Sequence, residues 1–422
     1  EKIKSIRGMP TLLPAELKVW QSVELSIKKI LSNYAFQEIR TPLLERTELF
    51  QRTIGEQTDV VSKEMYSFLD RKEQSLSLRP EATAGVVRAG IEHGLFYNQT
   101  QKFWSMGPMY RYERPQKGRY RQFHQVNMEA FGYEGPGIDA EIILLTSRIW
   151  RKLGVSDIQL ELNSLGTAES RKTYRAILVE YFNDHIESLD EDSLLRLEKN
   201  PMRILDSKNP EMSDVIHSAP KMNDHLDQES EEHFKDLLER LDSHDIQYVL
   251  NPRLVRGLDY YTKTVFEWTT DKLGAQATVC GGGRYDDLVK QLGGKDVFAI
   301  GCAIGFERLV ELVELSGKKD ENGQPKIYLV AVGDQAEVKS SELAEMIRDR
   351  FEDCVIELNQ DGGSFKQQFK RADRAESDIA LIIGDQEIEN STIGIKVMKE
   401  GGDQETISQD RLLESIADKI GA

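Results

Sequence analysis

The chain has 422 residues, of which 39% are hydrophobic and 30% charged, and its formal net charge at pH 7 is -17. This is the composition of a globular protein with two to four domains at ~100–200 residues each. No apolar run approaches the ~20 residues that cross a bilayer, and the acidic total argues against nucleic-acid binding through bulk charge alone.

The N-terminal part of the chain shows helical and strand patterns in turn. Apolar residues at helical spacing predict a helix over Pro14–Tyr34, whose first residue suits a first helical turn. An extended segment is predicted at 36–42. Alternation over Ser75–Arg79 predicts a strand that leads into a helix beginning near Glu81.

Two long strands follow, over Lys102–Tyr112 and Tyr120–Phe131, with a tight turn between them. Consecutive strands joined by a tight turn favour antiparallel pairing. A helix over Asp139–Leu153 and a strand over Ile158–Asn163 complete this part.

The texture changes from about residue 167 to residue 245, which is acidic, rich in helical pattern and broken by prolines. This segment is predicted to be a helical insertion. Its histidines, His217, His225 and His233, are widely spaced, so we expect them on the surface rather than at a metal.

Strand pattern returns at Leu254–Trp268 and Ala277–Val279, and three glycines at 281–283 are predicted to form a turn. A strand over Phe298–Ile304 then leads into a helix. The stretch 316–325 reads as a linker, and beyond it strands and helices alternate as in a compact α/β domain. The predicted boundaries are 1–166 and 241–318 for a split first domain, 167–240 for the insertion and 326–422 for the last domain.

The cysteines are too far apart to form a motif. Cys280, Cys302 and Cys354 have no nearby Cys or His at zinc-ligand spacing, so no metal site is predicted from a protein motif. Together with an N-terminus that lacks an apolar signal-peptide core, they indicate a reducing, cytoplasmic location.

The turn between the two long strands is strongly basic for so acidic a chain. Against the single acid Glu113, it carries five cations: Arg111, Arg114, Lys117, Arg119 and Arg121. This concentration indicates a platform that grips phosphates, and the alternative is a solvated basic loop.

One face of the second long strand is unusually polar. Alternate residues of a strand share a face, and on this strand they are Arg121, Phe123, Gln125, Asn127 and Glu129. A face packed on a core would be apolar, so this one is predicted to meet water, a ligand or a partner. His124 points to the other face.

Three further polar clusters lie where strands end. Glu81 and Thr83 stand at a strand-to-helix junction, where they either serve a site or merely favour the first helical turn. A second cluster contains Arg256, Tyr260 and Tyr261. It either serves a site, or its two tyrosines are ordinary strand-forming residues.

The last cluster lies where the glycines at 301 and 305 lead into a helix, and its basic residue is Arg308. The arginines 111, 256 and 308 come from separate segments, and no nucleotide-binding loop, nucleophile elbow or zinc spacing accompanies them. Phosphoryl chemistry at a nucleotide needs positioning and charge neutralisation more than a protein nucleophile, so this reaction type is predicted.

At these clusters the chain resembles the histidyl-tRNA synthetases, which are class II aminoacyl-tRNA synthetases, and the resemblance runs through nearly the whole chain. EIRTPLLE resembles the first class II motif, YRYERPQKGRYRQFHQVNMEAFG the second and AIGCAIGFERL the third. LVRGLDYYTKTVFEW resembles the peptide peculiar to the histidine enzymes, and it is the most specific of these matches.

The resemblance implies an α+β fold. Its parts would be an antiparallel six- or seven-stranded class II catalytic sheet flanked by helices, a helical insertion and a C-terminal α/β anticodon-binding domain. It also implies a homodimer, through the first motif. The implied reaction activates L-histidine with ATP and Mg²⁺ to histidyl-adenylate, then transfers the histidyl group to the terminal ribose of tRNA(His).

The family's functional residues transfer onto matching positions. Arg111 would clamp the α-phosphate, Arg256 would replace the electrostatic role of a metal, and Arg308 would hold the far phosphates with help from Arg119 or Arg121. Glu81, Thr83 and Gln125 would receive the α-ammonium group of histidine. Glu129 and Tyr261 would bind the imidazole, with Tyr260 nearby. The residues implied or proposed to contact tRNA are Arg114, Gln116, Lys366, Lys370 and Arg374.

The chain departs from the family pattern at Ala82, where glycine is common, and at Asn127, where a small residue is expected. Three rival interpretations stay open. They are a catalytically silent relative similar to the regulatory subunit of ATP phosphoribosyltransferase, a non-enzymatic tRNA-binding module, and a synthetase of another specificity.

Overall fold

The structure is a computed structural model, and it describes residues 2–55, 58–207, 209–258, 260–274, 278–317, 324–398 and 403–421. The chain divides into two compact units, Glu1–Lys319 and Asp320–Ala422. Most of the predicted linker, residues 318–323, lies outside the described residues, as does Ala277 of the strand predicted at 277–279.

The first unit is built on a large sheet and a small one. Its strands in chain order are β1 (Gln37–Glu38), β2 (Leu44–Arg46), β3 (Ser67–Leu69), β4 (Ser75–Leu78), β5 (Gln101–Tyr110), β6 (Gln122–Phe131), β7 (Gln159–Ser164), β8 (Tyr248–Leu250), β9 (Thr262–Thr269), β10 (Thr278–Arg284) and β11 (Ala299–Gly305). The large sheet has the order β1-β5-β6-β11-β10-β9-β7-β8, and β2-β4-β3 form the small sheet.

The six inner strands of the large sheet are all antiparallel, and only the short edge strands β1 and β8 pair in parallel. The predicted antiparallel catalytic sheet and the α+β class are therefore confirmed. The edge strand β1 lies within the extended segment predicted at 36–42, whereas β8 was not predicted, because a segment of three residues carries no readable alternation.

The helices of the first unit mostly cover one side of the large sheet or form the insertion. They are α1 (Pro14–Asn33), α2 (Thr47–Ile54), α3 (Thr83–Glu92), α4 (Gly137–Leu153), α5 (Ala168–Asp184), α6 (Glu191–Lys199), α7 (Ser213–Ser218), α8 (Gln228–Asp242), α9 (Leu288–Gln291) and α10 (Phe306–Leu315). The helix α1 begins at a proline, as predicted, and its buried stripe includes Trp20, Ile27 and Leu31.

The two faces of β6 have opposite environments. Val126, Met128 and Ala130 belong to the main hydrophobic core, together with buried residues of α1, α4 and α10. Because side chains alternate along a strand, the residues at 125, 127 and 129 point away from this core. One face of β6 is therefore not packed against the main core and is available for a site.

Two predicted elements around β9 and β10 are wrong. The strand predicted over Leu254–Trp268 begins only at Thr262, since residues 254–258 leave the ladder, and Lys263 has a positive φ of 45°. The glycines at 281–283 form no turn but lie inside β10. A Cβ at Gly282 would overlap Cys302 on β11, so close strand packing explains at least that glycine.

The insertion has a hydrophobic core of its own, which includes Tyr174, Leu178 and Phe182 from α5. Its last helix is different, because the apolar residues of α8 belong to the main core with α4. The helix α8 thus packs as part of the main core of the first unit.

The second unit is a five-stranded sheet with helices, in the order β13-β12-β14-β15-β16. Its elements are β12 (Lys326–Val332), α11 (Asp334–Arg350), β13 (Val355–Leu358), α12 (Phe365–Arg374), β14 (Ile379–Gly384), α13 (Asp385–Glu389), β15 (Thr392–Val397), β16 (Glu405–Ser408) and α14 (Leu412–Ile420). The strands β13, β12 and β14 are parallel, whereas β15 and β16 pair in antiparallel fashion. The predicted α/β domain is confirmed. Among the described residues of both units, no helix combines the length and apolarity needed to span a bilayer.

Candidate active site

The open face of the large sheet carries polar side chains among very small ones. Gln125, Asn127 and Glu129 project from β6, and their register partners on β11 are two glycines and one alanine. On β10 the same face continues with Gly281 and Gly283. Because these positions add almost no side-chain volume, the sheet forms a floor that a ligand can approach closely.

Two of the glycines make room for functional side chains. A Cβ at Gly301 would overlap the carboxylate of Glu129, and a Cβ at Gly281 would overlap the guanidinium of Arg256. The glycine-rich strands thus allow Glu129 and Arg256 to lie flat against the sheet.

Glu129 lies at the bottom of this face and is 2% exposed. Thr83 Oγ1 donates a hydrogen bond to Glu129 Oε1 at 2.7 Å, and the hydroxyl of Tyr285 donates to Oε2. Burial raises the pKa of Glu129 to about 8, although both hydrogen bonds act in the opposite direction. Asn127 is buried as well, so this part of the face forms a pocket floor rather than a water-exposed surface.

The raised pKa of Glu129 predicts how stability depends on pH. Between its ordinary pKa of 4.5 and about 8, the unfolded chain loses this proton and the folded chain keeps it. Stability from this group is therefore fully present below pH 4.5 and is lost as pH rises through 8. Glu129→Gln cannot titrate, so its melting temperature relative to wild type should rise from pH 5 to pH 8 in thermal unfolding without ligands. A constant difference would contradict the shift.

Glu81 caps the first turn of α3. Its carboxylate accepts hydrogen bonds from the backbone N–H of Thr83 at 2.6 Å and of Ala84 at 3.0 Å. Burial raises its pKa, and these N–H groups oppose the rise. Glu81 therefore stabilises the first helical turn, which was one of its two predicted roles. The side chain of Thr83 does not do this, because it hydrogen-bonds Glu129.

Two tyrosines and a third that was not predicted form an aromatic wall. Tyr260 and Tyr261 are buried with ring centroids 4.6 Å apart, and Tyr260 stands 5.5 Å from Tyr285. Both predicted tyrosines precede β9, so they are not strand residues. Burial raises the pKa of all three hydroxyls, which keeps them protonated as donors.

Arg256 lies over β10 and pairs with Glu267 of β9. The second oxygen of Glu267 accepts a hydrogen bond from Thr278 Oγ1 at 2.8 Å, and the guanidinium lies 5.6 Å from the ring of Tyr261. Burial acts most strongly and would lower the pKa of Arg256, but Glu267, Tyr261 and Tyr260 together outweigh it and raise the pKa above its ordinary value. The arginine is therefore a fixed, permanent cation.

The structure brings four arginines together. Burial lowers the pKa of Arg308, and the neighbouring charges of Arg119 and Arg111 lower it further. Burial also lowers the pKa of Arg111, and among its neighbours Arg256 acts in the same direction. An anion placed among these arginines would relieve the repulsion between their charges.

Contacts to backbone oxygens hold two of these arginines in place. Arg111 Nε donates to the carbonyl of Pro80 at 3.0 Å, and Arg308 Nε donates to the carbonyl of Gly118 at 3.0 Å. The first contact joins the hairpin to the start of α3, and the second joins it to α10.

The other hairpin cations have different neighbours. Arg119 pairs with the carboxylate of Glu113, and Arg121 donates to the carbonyl of Glu113 at 3.1 Å and lies 3.9 Å from the ring of Tyr112. Lys117 pairs with Glu311, while Arg114 and Gln116 are exposed. The five cations therefore do not form one surface, and Arg121 lies against the hairpin itself.

Three buried polar atoms at this site have no hydrogen-bond partner within the described part of the chain. They are Gln125 Oε1, Asn127 Nδ2 and Arg256 Nε. Buried polar groups are normally paired, so each exception calls for an explanation. A polar ligand on the sheet face would supply the missing partners.

Sequence reasoning missed Tyr285 and Glu267. Tyr285 comes two residues after the glycines that were interpreted as a turn, and Glu267 lies between the apolar residues Phe266 and Trp268. On β9, Glu267 faces Gly281 across the ladder. An acidic residue opposite a glycine within a buried sheet was the available signal.

The expectation of surface histidines in the insertion is wrong for one of the three. His217 is exposed, and the ring of His225 lies 5.9 Å from that of Tyr174. His233 is buried and hydrogen-bonds Asp139 at 2.9 Å, because α8 packs on α4. In the described residues, no group of three or more His, Cys, Asp or Glu side chains is arranged to hold a metal ion.

The basic residues of the second unit that were proposed to contact tRNA form a stripe on α12. Lys366, Lys370 and Arg374 are exposed along it, whereas Arg371 donates hydrogen bonds to Asn359 and to a backbone carbonyl. The three exposed side chains thus form a cationic surface on α12.

Comparison with known proteins gives two family matches. A model described as histidyl-tRNA synthetase matches residues 8–309, and a model described as anticodon binding domain matches residues 326–419. The two matched regions lie in the two compact units.

Solved structures give the same picture. Apo histidyl-tRNA synthetase from S. aureus is 37% identical, with a TM-score of 0.83 over 98% of this chain and 99% of that one. Histidyl-tRNA synthetase from Nostoc sp. PCC 7120 is 18% identical, with a TM-score of 0.71 over 99% and 100%. A Bacillus halodurans protein described as an ATP phosphoribosyltransferase regulatory subunit/histidyl-tRNA synthetase is 21% identical, with a TM-score of 0.65 over 90% and 97%. At these identities the last two comparisons show the fold alone.

Proposed function

The chain belongs to the histidyl-tRNA synthetase family, and we propose that it activates L-histidine with ATP and transfers the histidyl group to the 3′ end of tRNA(His). The observation that carries this proposal is the position of the arginine cluster. It adjoins a buried pocket in which polar atoms of Gln125, Asn127 and Arg256 have no hydrogen-bond partner among the residues that the structure describes.

In the activation step, a carboxylate oxygen of histidine attacks the α-phosphorus of ATP, and pyrophosphate leaves with the electron pair of the broken P–O bond. Negative charge gathers on the phosphate oxygens in the transition state, where fixed cations are most effective. Arg111 and Arg256 act at the α-phosphate. Arg308 holds the far phosphates, and Arg119 is better placed than Arg121 to assist, because its charge acts on Arg308.

The histidine pocket lies under the aromatic wall. Glu129 binds an imidazole N–H, and Tyr261 faces the ring with Tyr260 beside it. Buried hydrogen-bonding groups reject an apolar analogue because they would be left unpaired. The α-ammonium group is received by the remaining acceptors of this pocket, which are Glu81, Thr83 and Gln125.

Magnesium fits the same site. Mg²⁺ takes oxygen ligands and is held through one or two carboxylates together with substrate phosphates. Glu267 places a carboxylate beside the arginine cluster, and the hydroxyl of Thr278 lies 2.8 Å from it. One oxygen of Glu267 pairs with Arg256 and the other accepts from Thr278, so this carboxylate would hold the ion only together with the phosphates of ATP, where the ion would supply charge neutralisation.

The proposal extends to tRNA and to assembly. The exposed hairpin residues Arg114 and Gln116 reach the acceptor end, and the stripe Lys366, Lys370 and Arg374 contacts RNA in the anticodon-binding domain. A homodimer formed through the segment of the first class II motif and a cytoplasmic location complete it. The free thiols of all three cysteines fit a reducing compartment.

The main alternative is a catalytically silent regulatory subunit of ATP phosphoribosyltransferase, since a protein with that description shares the fold. The arginine cluster disfavours it, because the charges of Arg111, Arg256 and Arg308 act unfavourably on one another, which is a cost without an anionic ligand. A tRNA-binding module without activity would need neither the cluster nor the buried pocket.

Amino-acid-dependent exchange of labelled pyrophosphate into ATP tests the proposal. We expect exchange with histidine alone among the twenty amino acids, followed by charging of tRNA(His). Exchange with another amino acid would assign a different specificity. Histidine binding without any exchange would favour the regulatory alternative, and tRNA binding with neither would favour the binding module.

A further inference from the structure

The helix α8 contacts α4, in the main core of the first unit, through a buried histidine. His233 is 8% exposed, and its Nε2–H donates a hydrogen bond to Asp139 Oδ2 at 2.9 Å. Two residues beside it in sequence are not equivalent, because Phe234 packs into the main core and Glu232 faces water. The contact therefore fixes one face of α8 onto the start of α4.

Besides His233, Asp139 also binds Arg284, the last residue of β10. Both side chains are fully buried, and Arg284 Nε lies 2.9 and 3.0 Å from the two oxygens of Asp139. Burial alone would raise the pKa of Asp139, but Arg284 and His233 reverse this and hold the carboxylate ionised. An ionised carboxylate only accepts, so His233 must donate.

Every nitrogen of the Arg284 guanidinium has a partner. Beyond Asp139, it donates to the backbone carbonyls of Tyr133 at 3.1 Å and Gly135 at 2.6 Å, and to Asp286 Oδ1 at 3.2 Å. A planar guanidinium whose nitrogens are all hydrogen-bonded is held in one orientation, and it therefore restrains the backbone at Arg284.

The next residue along the chain is Tyr285, whose hydroxyl donates to Glu129 in the imidazole pocket. The backbone N–H of Tyr285 is held by the carbonyl of Ala299 at 2.8 Å, and Asp286 Oδ1 accepts the backbone N–H of Ala299 at 2.8 Å. Tyr285 thus stands between two anchored neighbours, Arg284 and Asp286, and its ring has little freedom.

We propose that His233, acting through Asp139 and Arg284, is a positioning residue that holds the hydroxyl of Tyr285 on Glu129 and thereby sets the affinity for histidine. The proposal rests on the proposed function, because it assigns Glu129 and Tyr285 to the amino acid. His233 touches no substrate in this scheme.

The base of the insertion adjoins this network. Asp227 caps α8 and accepts hydrogen bonds from Thr167 Oγ1 at 2.9 Å and from Ser170 Oγ at 2.6 Å, at the start of α5. One carboxylate therefore ties the entrance of the insertion to its exit, immediately before the helix that carries His233. A displacement of the insertion would act on the imidazole pocket through α8.

The test is His233→Ala in the pyrophosphate exchange assay with the full chain. We expect the KM for histidine to rise about tenfold, within the usual range of couplings between contacting residues, while the KM for ATP changes less than about twofold. His233→Gln, whose amide can still donate to Asp139, should recover most of the histidine affinity. Phe234→Leu is the matched control, since it weakens packing of the same helix without touching Asp139, and it should lower the melting temperature with both KM values unchanged.

A double-mutant cycle locates the effect. In a Tyr285→Phe background, where no hydroxyl remains to be positioned, His233→Ala should raise the KM for histidine far less than in wild type. Equal increases in both backgrounds, or equal increases in the KM for histidine and ATP, would overturn the inference while leaving the enzyme a synthetase. An inactive wild-type protein would instead refute the proposed function itself.

Discussion

Arg256→Ala should lower the rate of histidine-dependent pyrophosphate exchange by at least about 100-fold, because removal of one fixed donor to a developing oxyanion costs ~10²–10³ in rate. Arg256 is held between Glu267 and the ring of Tyr261, over a strand position where a side chain would overlap it. Its charge acts on Arg111, which is assigned to the same phosphate. The measurement is exchange at saturating ATP and histidine, with the melting temperature recorded for each variant.

Three variants make this result interpretable. Arg253→Ala removes an exposed arginine three residues earlier and should leave exchange unchanged. Arg256→Lys keeps the charge but loses the planar fork, so we expect only partial activity. Arg256→Ala leaves the carboxylate of Glu267 without its cation, and Arg256→Ala/Glu267→Gln should restore stability without restoring exchange. Near-normal exchange by Arg256→Ala would remove this residue from the reaction.

Much of this site could be predicted because its residues break the pattern of the elements that carry them. A strand that alternates polar residues on one face, such as β6, indicates a face that is not packed on the core. The separation of His124 from Gln125 and Glu129 follows from the same alternation, and the structure places His124 against Trp20 and Glu307. The convergence of arginines from distant segments could be proposed only through their chemistry and the family resemblance.

What could not be predicted depends on contacts between distant segments. The glycines at 281–283 suit a turn in isolation, and only the neighbouring strand explains why they lie inside β10. His233 was expected at the surface because the histidines of the insertion are widely spaced, and its partner Asp139, 94 residues away in the chain, could not be identified from the sequence. The pattern of the insertion likewise conceals that its last helix packs with the main core, since an amphipathic helix does not reveal which core it covers.

Glu129→Gln should raise the KM for histidine by about 100-fold and change the KM for ATP by less than about twofold. The carboxyl group is buried and accepts hydrogen bonds from Thr83 and Tyr285. An imidazole N–H bound beside them would favour its ionised form, which has the geometry to accept this further hydrogen bond. An amide has one accepting atom, so it cannot accept from Thr83, Tyr285 and the imidazole together, and its NH₂ group has the wrong polarity toward an imidazole N–H. Discrimination by buried hydrogen bonds of this kind reaches ~10⁴-fold or more in synthetases, so a partial loss of about 100-fold is expected from a substitution that preserves shape.

Glu161→Gln is the matched control for this second variant. Glu161 also lies in the large sheet, but its oxygens accept hydrogen bonds from Asn251 and Thr269, away from the pocket. We expect its KM values to match wild type. A histidine analogue whose ring lacks an N–H should be rejected strongly by wild type and much less by Glu129→Gln, because the variant no longer has a carboxylate to leave unpaired. Equal losses toward histidine and ATP, or unchanged discrimination against the analogue, would place Glu129 outside the imidazole pocket and would leave the specificity of the site to the tyrosine wall.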